Sequence, residues 1–440
     1  MTLRTTAAST SSKLSHSSHF AAAPEGYVPL QTQESERTSV SVPSLKVLIT
    51  VPTLEAGAAD IGAIDLVRML AGAGHHPIVV SNGGRFELAV ESAGGELIRL
   101  DTASNNPLVI ARNGLELARL VRSRDCDVLH AHGRASAWSA LIAARMTGVP
   151  FLTSWYKGFR DQNMLKHFYN GVMTRSDRVI AVSDQIAELI IDRHHTPLNR
   201  IVVIPSAIDV DRFDPAALTP NRIDAMRHSW GARKDTKIIL VVGRMLRRKG
   251  HHIAIQAVRR LKEIGLKNFL CVFAGEDHGR TRYAGEFWDL VLATDTADVI
   301  RLTGWLADMP AAFAAATVVV SAAIQPEGIQ RTILEALCMA KPVIVSDLAA
   351  GPEVVLAPPA VAEDRMTGLR FASGDDAGLA AALIRLFAMP EATRRAIGMR
   401  GHDWVLAQFD SSAIAAQTLA LYSEIARARA FERNKLQTIQ

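Results

Sequence analysis

Short apolar runs alternate along this chain with longer segments in which apolar residues recur every three or four positions. The first run covers residues 45–50, a loop with Gly57 and Gly62 and then a segment with helical spacing follow, and a second run covers 78–81. A strand, a helix and a strand in this order form a unit that is typical of a parallel sheet. The alternation resumes at 237–242 and continues through 318–321 and 343–346. The pattern therefore predicts an α/β protein with two doubly wound parallel-sheet domains.

The domain limits follow from segments that interrupt this alternation. Residues 1–44 are rich in Ser, Thr and Ala, and we predict a disordered tail there. A linker with two prolines is predicted over residues 214–235. The predicted first domain covers 45–214, and the predicted second domain, 215–410, includes most of this linker. Residues 411–440, rich in Ala, Leu and Arg, are predicted to form a final helix.

Composition narrows the compartment and the partners. The chain is 48% hydrophobic and carries a net charge of +5 with a pI near 9.2, which suits anionic substrates or an anionic membrane surface. No apolar stretch approaches the roughly 18 residues that a membrane-spanning helix needs. Three cysteines without a C-x-x-C spacing indicate reduced thiols. We therefore predict a cytoplasmic protein, peripheral at the inner face of the cytoplasmic membrane, without a nucleic-acid partner.

Two glutamates flank the start of a predicted helix in the second domain. Glu327 lies in the loop after the run 318–321, and Glu335 lies in a helix predicted over 330–340. Eight residues at about 100° each amount to roughly two turns, so both carboxylates can face one cleft. The helix N-terminus between them offers free backbone N–H groups to an anion. The alternative is an exposed loop acid beside a solvated helix acid.

Two further motifs lie where predicted strands end. Gly243, Arg244 and Lys249 follow the first predicted strand of the second domain and form another candidate phosphate-binding element. His130 and His132 lie two apart at the end of a strand, so they share one face at the edge where open α/β sheets bind ligands. A metal site would need a third ligand that the sequence does not supply. A purely structural role for the histidines is the alternative.

The basic and acidic motifs together resemble the G-R-L-x-x-x-K-G loop and the E-x7-E motif of the GT-B glycosyltransferases, in particular retaining family 4. The resemblance covers residues 46–425 and implies two Rossmann-like domains that face a cleft, with the C-terminal helix crossing back to the first domain. It also implies that Arg244 and Lys249 bind the donor diphosphate. By the same resemblance Glu327 binds the hydroxyls of the donor sugar, and Glu335 binds the ribose.

The resemblance extends to further single positions. His132 is expected to contact the donor sugar or the transition state, and it joins Glu327, Arg244 and Lys249 as a predicted catalytic residue. The remaining predicted donor-binding residues are Gly57, Gly243, Gly304, Gly328, Ile329, Gln330, Arg331 and Glu335. Gln330 stands where the family pattern E-G-F-G has its second glycine. This departure predicts a side chain at the point where backbone amides meet the donor.

The resemblance also indicates the reaction. It predicts a metal-independent retaining glycosyltransferase that moves a hexose from a UDP or GDP sugar to a lipopolysaccharide, lipid-linked or other saccharide acceptor. We expect no metal or other cofactor, because Arg244, Lys249 and the helix start can offset the diphosphate charge. No Asp-x-Asp motif accompanies the donor loops. Two alternatives on the same scaffold are a nucleotide-sugar epimerase and a protein that binds nucleotide sugars without turnover.

A basic and aromatic segment in the first domain is a candidate for the acceptor side. Residues 151–178 contain five Lys or Arg interleaved with five aromatic residues, Trp155, Tyr156, Phe159, Phe168 and Tyr169. Such a mixture suits a lipid-headgroup surface or a saccharide acceptor site. The alternative is a helix with a buried stripe and a solvated face.

Overall fold

The computed structural model describes residues 44–55, 57–158, 163–277, 279, 281–325, 327–348, 351–409 and 411–439, and it describes only the backbone of residues 281, 352 and 430–439. All of the predicted disordered tail except Ser44 lies outside the described residues, and so does Phe159 of the basic and aromatic segment.

The first half of the chain forms one parallel sheet. Its strands are β1 Lys46–Thr50, β2 His76–Ser81, β3 Glu96–Arg99, β4 Val128–Ala131, β5 Phe151–Trp155, β6 Arg178–Ala181 and β7 Ile201–Val203. The seven strands lie in the order β3-β2-β1-β4-β5-β6-β7. The connecting helices are α1 Ala58–Gly72, α2 Glu87–Ser92, α3 Pro107–Arg124, α4 Arg134–Thr147, α5 Met164–Asn170 and α6 Asp184–His194. Val- and Ile-rich runs form these strands because helices cover both faces of the sheet.

The second half repeats this architecture. Its strands are β8 Lys237–Val242, β9 Phe269–Ala274, β10 Ile300–Gly304, β11 Val318–Ser321, β12 Val343–Ser346 and β13 Gly368–Phe371. The six strands lie in the order β10-β9-β8-β11-β12-β13. The helices are α7 Pro220–Ser229, α8 His251–Glu263, α9 Thr281–Ala293, α10 Met309–Ala315, α11 Arg331–Cys338, α12 Gly351–Val354, α13 Asp376–Ala388, α14 Glu391–Gln408 and α15 Ser411–Ile439. The predicted pair of doubly wound parallel sheets is confirmed.

The C-terminal helix α15 crosses back to the first sheet, as the resemblance implied. The hydroxyl of Tyr422, which is fully buried, lies 2.5 Å from Nδ1 of His130 on β4. Glu424 forms an ion pair of 3.0 Å with Arg178 on β6. The preceding helix α14 packs against α11 and β13 of the second sheet. The chain therefore leaves the first domain, completes the second and returns to the first.

The domain boundary remains our proposal. Helix α7 lies in the stretch predicted to separate the domains, and it packs against α10 of the second domain. Arg222 on α7 donates two hydrogen bonds of 2.8 Å to the carboxylate of Asp308, which caps α10. We therefore place the division at residues 214 and 215, so that α7 belongs to the second domain.

Candidate functional site

Two loops of the second domain converge because the strands before them are neighbours. Strands β8 and β11 pair in parallel, so the loops that follow them start at the same edge of the sheet. The backbone N–H of Ile324 donates to the carbonyl oxygen of Arg248 over 2.9 Å. Gly250 has a φ of +69°, and a β-carbon there would lie 1.7 Å from the carbonyl oxygen of Ala322. Glycine at this position allows the two loops to touch.

This contact brings together two of the predicted catalytic residues. Nζ of Lys249 lies 2.7 Å from Oε2 of Glu327, and Arg248 forms a second ion pair with the same carboxylate. Only 5% of Glu327 is exposed. Burial, followed by the charges of Arg248, Arg244 and Lys157, lowers the pKa of Lys249 to about 7. Glu327, a buried carboxylate that pairs with two cations, is thus the centre of the candidate site.

A cationic cluster surrounds that ion pair and draws on both domains. It contains Arg244, Arg248 and Lys249 of the second domain and Lys157, which follows β5 in the first. Burial, followed by the charges of Arg248, Arg244 and Arg134, lowers the pKa of Lys157 to about 8. Like charges held this close favour binding of a multiply charged anion. Sequence reasoning gave Lys157 no donor contact, although its place directly after a buried strand was a usable signal.

Glu335 belongs to a second charged group, centred on Arg331. Nε of Arg331 donates to Oε1 of Glu335 over 3.0 Å, and Nη1 donates to Asp65 on α1 and to the carbonyl oxygen of Ala207. Burial raises the pKa of Glu335, and the charge of Arg331 opposes the shift. Arg331 therefore links the two domains, and its predicted role in binding the donor stays a prediction. Its partners could not be predicted, because they depend on how the domains pack.

The side chain of Gln330, which departs from the family pattern at the start of α11, bonds within the second domain. Its Oε1 accepts a hydrogen bond of 2.6 Å from the hydroxyl of Ser321, at the end of β11. The predicted contact of Gln330 with the donor stays a prediction. Gly328 lies against the first domain, since a β-carbon there would be 2.5 Å from the carbonyl oxygen of Tyr156. Ile329 packs against the hydrophobic core.

His130 on β4 and His132 directly after it have different surroundings, although their rings lie 4.4 Å apart. His130 is held on both sides, by Tyr422 at Nδ1 and by the hydroxyl of Ser154 at Nε2 over 2.9 Å. Nδ1 of His132 lies 2.9 Å from the hydroxyl of Tyr156, while its buried Nε2 has no hydrogen-bond partner. Burial lowers the pKa of His132 to about 3, so the ring is neutral. His132 can offer one free ring nitrogen to a ligand.

The remaining predicted glycines lie at the carboxyl ends of strands, Gly57 in the first sheet and Gly243 and Gly304 in the second. Gly57 precedes α1, and its N–H donates to Oδ2 of the buried Asp60 over 3.0 Å. Burial raises the pKa of Asp60, while backbone N–H donors and the charge of Arg244 oppose the shift. The loop after β1 therefore lies near the cationic cluster. Gly243 and Gly304 have φ values of +154° and +68° after β8 and at the end of β10, which residues with a β-carbon rarely adopt.

In the described residues, no three side chains of His, Cys, Asp and Glu come together in a group that could hold a metal ion. Within the same residues, none of the helices combines the length and the apolar character needed to cross a membrane.

Comparison with known proteins places both halves of the chain among glycosyltransferases. Residues 60–212 match the model described as Glycosyltransferase Family 4, and residues 236–389 match the model described as Glycosyl transferases group 1. A solved glycosyltransferase from Rickettsia africae superimposes with a TM-score of 0.76 at 25% identity, covering 87% of this chain and 99% of that one.

Two curated relatives align over shorter spans. The chain is 26% identical over 245 residues to the UDP-Gal:alpha-D-GlcNAc-diphosphoundecaprenol alpha-1,3-galactosyltransferase of Escherichia coli, which covers 53% of this chain and 61% of the relative. It is 31% identical over 183 residues to the lipopolysaccharide core biosynthesis glycosyltransferase LpsE of Rhizobium meliloti, which covers 41% of this chain and 48% of the relative. The chain thus spans about half of the length of the curated relatives it matches.

Proposed function

Since the chain belongs to the glycosyltransferases with the GT-B fold, we propose that it moves a hexose from a nucleotide-diphosphate sugar to a lipid-linked or lipopolysaccharide acceptor. The donor binds the second domain, and the acceptor hydroxyl approaches from the first. Retention of the anomeric configuration is part of this proposal and rests on the resemblance to family 4.

One observation carries the proposal: the ion pair between Lys249 and Glu327 joins the two motifs that a sugar diphosphate needs. The ammonium group and the carboxylate lie 2.7 Å apart, on loops that leave adjacent strands. A donor bound beside this ion pair would present its diphosphate to Lys249, Arg244 and Arg248 and its sugar hydroxyls to Glu327. Because these side chains are nearly enclosed, each charge would act in a medium of low dielectric constant.

The same groups would stabilise the transition state without a metal ion. Negative charge grows on the leaving diphosphate as the glycosidic bond to the sugar breaks. Arg244, Arg248 and Lys249 would offset that charge, and the N-terminus of α11 would add free backbone N–H groups. We propose on this ground that transfer needs no divalent cation.

The donor nucleotide is proposed to be UDP or GDP. The galactosyltransferase relative from Escherichia coli carries UDP-Gal in its name, which favours UDP. In this proposal the backbone of the turn at Gly304 contacts the base, so the residue types in that turn do not distinguish UDP from GDP. Arg85 of the first domain lies 4.8 Å above the ring of the neighbouring Trp305, so both domains close around this end of the cleft.

The acceptor is proposed to be an anionic glycolipid presented at a membrane surface. Lys157 lies on the acceptor side of the cationic cluster and could bind a phosphate of such a lipid. Helix α5 exposes three apolar side chains of the basic and aromatic segment, Met164 (84%), Leu165 (80%) and Phe168 (56%). Apolar side chains beside basic residues are typical of helices that lie on anionic bilayers.

The experiment is a transfer assay with a panel of UDP, GDP and ADP sugars. The acceptor is a diphosphate-linked N-acetylglucosaminyl lipid, presented either in anionic vesicles or in neutral detergent micelles. Release of the nucleoside diphosphate and the mass of the lipid product are measured with and without EDTA. We expect transfer that depends on acceptor, survives EDTA and is faster on anionic vesicles.

Matched variants connect the assay to the site. Glu327→Gln is expected to abolish transfer, while Arg247→Gln is expected to retain it. Arg247 lies in the same loop, but its side chain is 66% exposed and pairs with Glu286. Conversion of the donor without any acceptor would favour an epimerase, and binding without turnover would favour a binding protein. Full activity of Glu327→Gln would remove this carboxylate from the reaction.

A further inference from the structure

Each of the two histidines at the end of β4 has a tyrosine hydroxyl at Nδ1. The hydroxyl of Tyr422 on α15 lies 2.5 Å from Nδ1 of His130. The hydroxyl of Tyr156 lies 2.9 Å from Nδ1 of His132. Nε2 of His132 is buried without a hydrogen-bond partner, and the nearby backbone of Ala59 opposes the fall in the pKa of this ring.

The direction of the hydrogen bond between Tyr156 and His132 is constrained because each ring has one proton to donate. Burial lowers the pKa of His132 and raises the pKa of Tyr156, so both rings are neutral. Either the phenol donates to Nδ1 and the imidazole proton lies on Nε2, or the imidazole donates from Nδ1 and the phenol proton is left over.

The two directions differ in how many buried groups lack a partner. If Nδ1 of His132 donates, two do so: the hydroxyl proton of Tyr156 and the lone pair on Nε2 of His132. If the hydroxyl of Tyr156 donates, one is left, the N–H on Nε2, and a ligand oxygen at the cleft can accept from it. A buried polar group without a partner is unfavourable, so the second direction is favoured.

Two glycines fix the position of Tyr156. A β-carbon at Gly62 would lie 2.3 Å from the Tyr156 hydroxyl, and one at Gly328 would lie 2.5 Å from the Tyr156 carbonyl oxygen. Gly62 is part of α1, although the sequence placed it in the loop before that helix. The absence of a side chain there is what lets the hydroxyl reach His132.

We propose that Tyr156 is a positioning residue: its hydroxyl donates to Nδ1 of His132 and thereby holds the proton of this imidazole on Nε2. His132 then presents an N–H donor to an oxygen of the bound donor. The identity of that ligand rests on the proposed function, whereas the tautomer of His132 does not. Tyr156, which is not one of the positions that the family motifs predict, would thus act by orienting His132.

The test is NMR of the full-length protein with ¹⁵N-labelled histidine, which distinguishes protonated from unprotonated ring nitrogens. In the wild type we expect His132, assigned by loss of its signals in His132→Gln, to have an unprotonated Nδ1 and a protonated Nε2. In Tyr156→Phe we expect a mixture of tautomers. The value of kcat should fall about 10- to 100-fold, the range for outer partners that orient a histidine, with little change in the donor KM.

The matched control is Tyr283→Phe in the second domain, which removes a hydroxyl that lies 3.3 Å from Nδ1 of another histidine, His251. It should leave the His132 signals and kcat unchanged. A wild-type spectrum with a protonated Nδ1 would overturn the inference without any variant. Identical His132 signals in the wild type and in Tyr156→Phe would also overturn it. If the tautomer changes as expected but no sugar nucleotide is turned over, the positioning role stands and the proposed function fails.

Discussion

The ion pair between Lys249 and Glu327 allows a quantitative prediction. Lys249→Met removes the cation and keeps most of the side-chain volume, while Glu327→Gln removes the anion and keeps its shape. The side chains are 18% and 7% exposed, so both charges are largely shielded from water. Arg248 remains beside Glu327 in the first variant, which limits the imbalance that the substitution leaves.

The size of each effect follows from burial. Removing one partner of a buried ion pair costs about 3–5 kcal/mol, and the remaining Arg248 reduces this to about 2–3 kcal/mol for Lys249→Met. In the double variant no unpaired carboxylate is left, so we expect a coupling energy of about 1–3 kcal/mol. Loss of one charge-assisted hydrogen bond to the diphosphate costs about 1.5–3 kcal/mol, or roughly 10- to 150-fold in Kd.

The assay combines calorimetric titration of UDP and GDP with urea unfolding of the two single variants and the double variant. Arg247→Met serves as the control, because it removes an exposed cation from the same loop. We expect its affinity to stay within about two-fold of the wild type, since exposed ion pairs contribute about 0–1 kcal/mol. Unchanged nucleotide affinity in a folded Lys249→Met protein, together with additive stability effects, would refute the reasoning.

Two other predictions concern stability. Burial raises the pKa of Glu353, which accepts from the N–H of Gln185 over 3.0 Å, from 4.5 to about 7. Because the folded protein holds this proton to higher pH, the free energy of unfolding should fall by up to about 3 kcal/mol between pH 4.5 and 7 and then level off. Glu353→Gln should remove that part of the fall in urea unfolding at pH 5 and pH 8; an unchanged pH profile would contradict the cause. Gly250→Ala should lower the unfolding free energy by at least about 2 kcal/mol, from backbone strain and the clash with Ala322. Gly231→Ala is its control, with a φ of +75° but nothing within 4 Å of the added carbon, and equal thermal shifts for both variants would rule out the clash.

Much of the fold was predictable because the hydrophobic pattern is local. Strands buried on both faces appear as short Val and Ile runs, and the helices between them imply parallel pairing. The convergence of Lys249 with Glu327 was also predictable from the motifs, since both follow strands that end at one edge of a sheet. The structure adds the reason, which is that β8 and β11 are direct neighbours.

The parts that could not be predicted depend on contacts distant in sequence. Arg331 bonds Asp65 over a separation of 266 residues, and that contact exists only because the domains face each other. The interaction of Tyr156 with His132 required β4 and β5 to be adjacent and α1 to contain a glycine at residue 62. Gly62 lowers helix propensity, so sequence reasoning assigned it to a loop. The side chain of Gln330 bonds the hydroxyl of Ser321, a contact that the spacing of residues along the chain does not predict.

The central claim is that one doubly anionic donor binds between the basic loop after β8 and the acidic loop after β11. Its most direct test is turnover of a UDP or GDP sugar with the lipid-linked acceptor, compared among wild type, Glu327→Gln and Arg247→Gln. The account predicts release of nucleoside diphosphate and a glycosylated lipid with the wild type and Arg247→Gln, and neither product with Glu327→Gln. Equal turnover by all three proteins would contradict it.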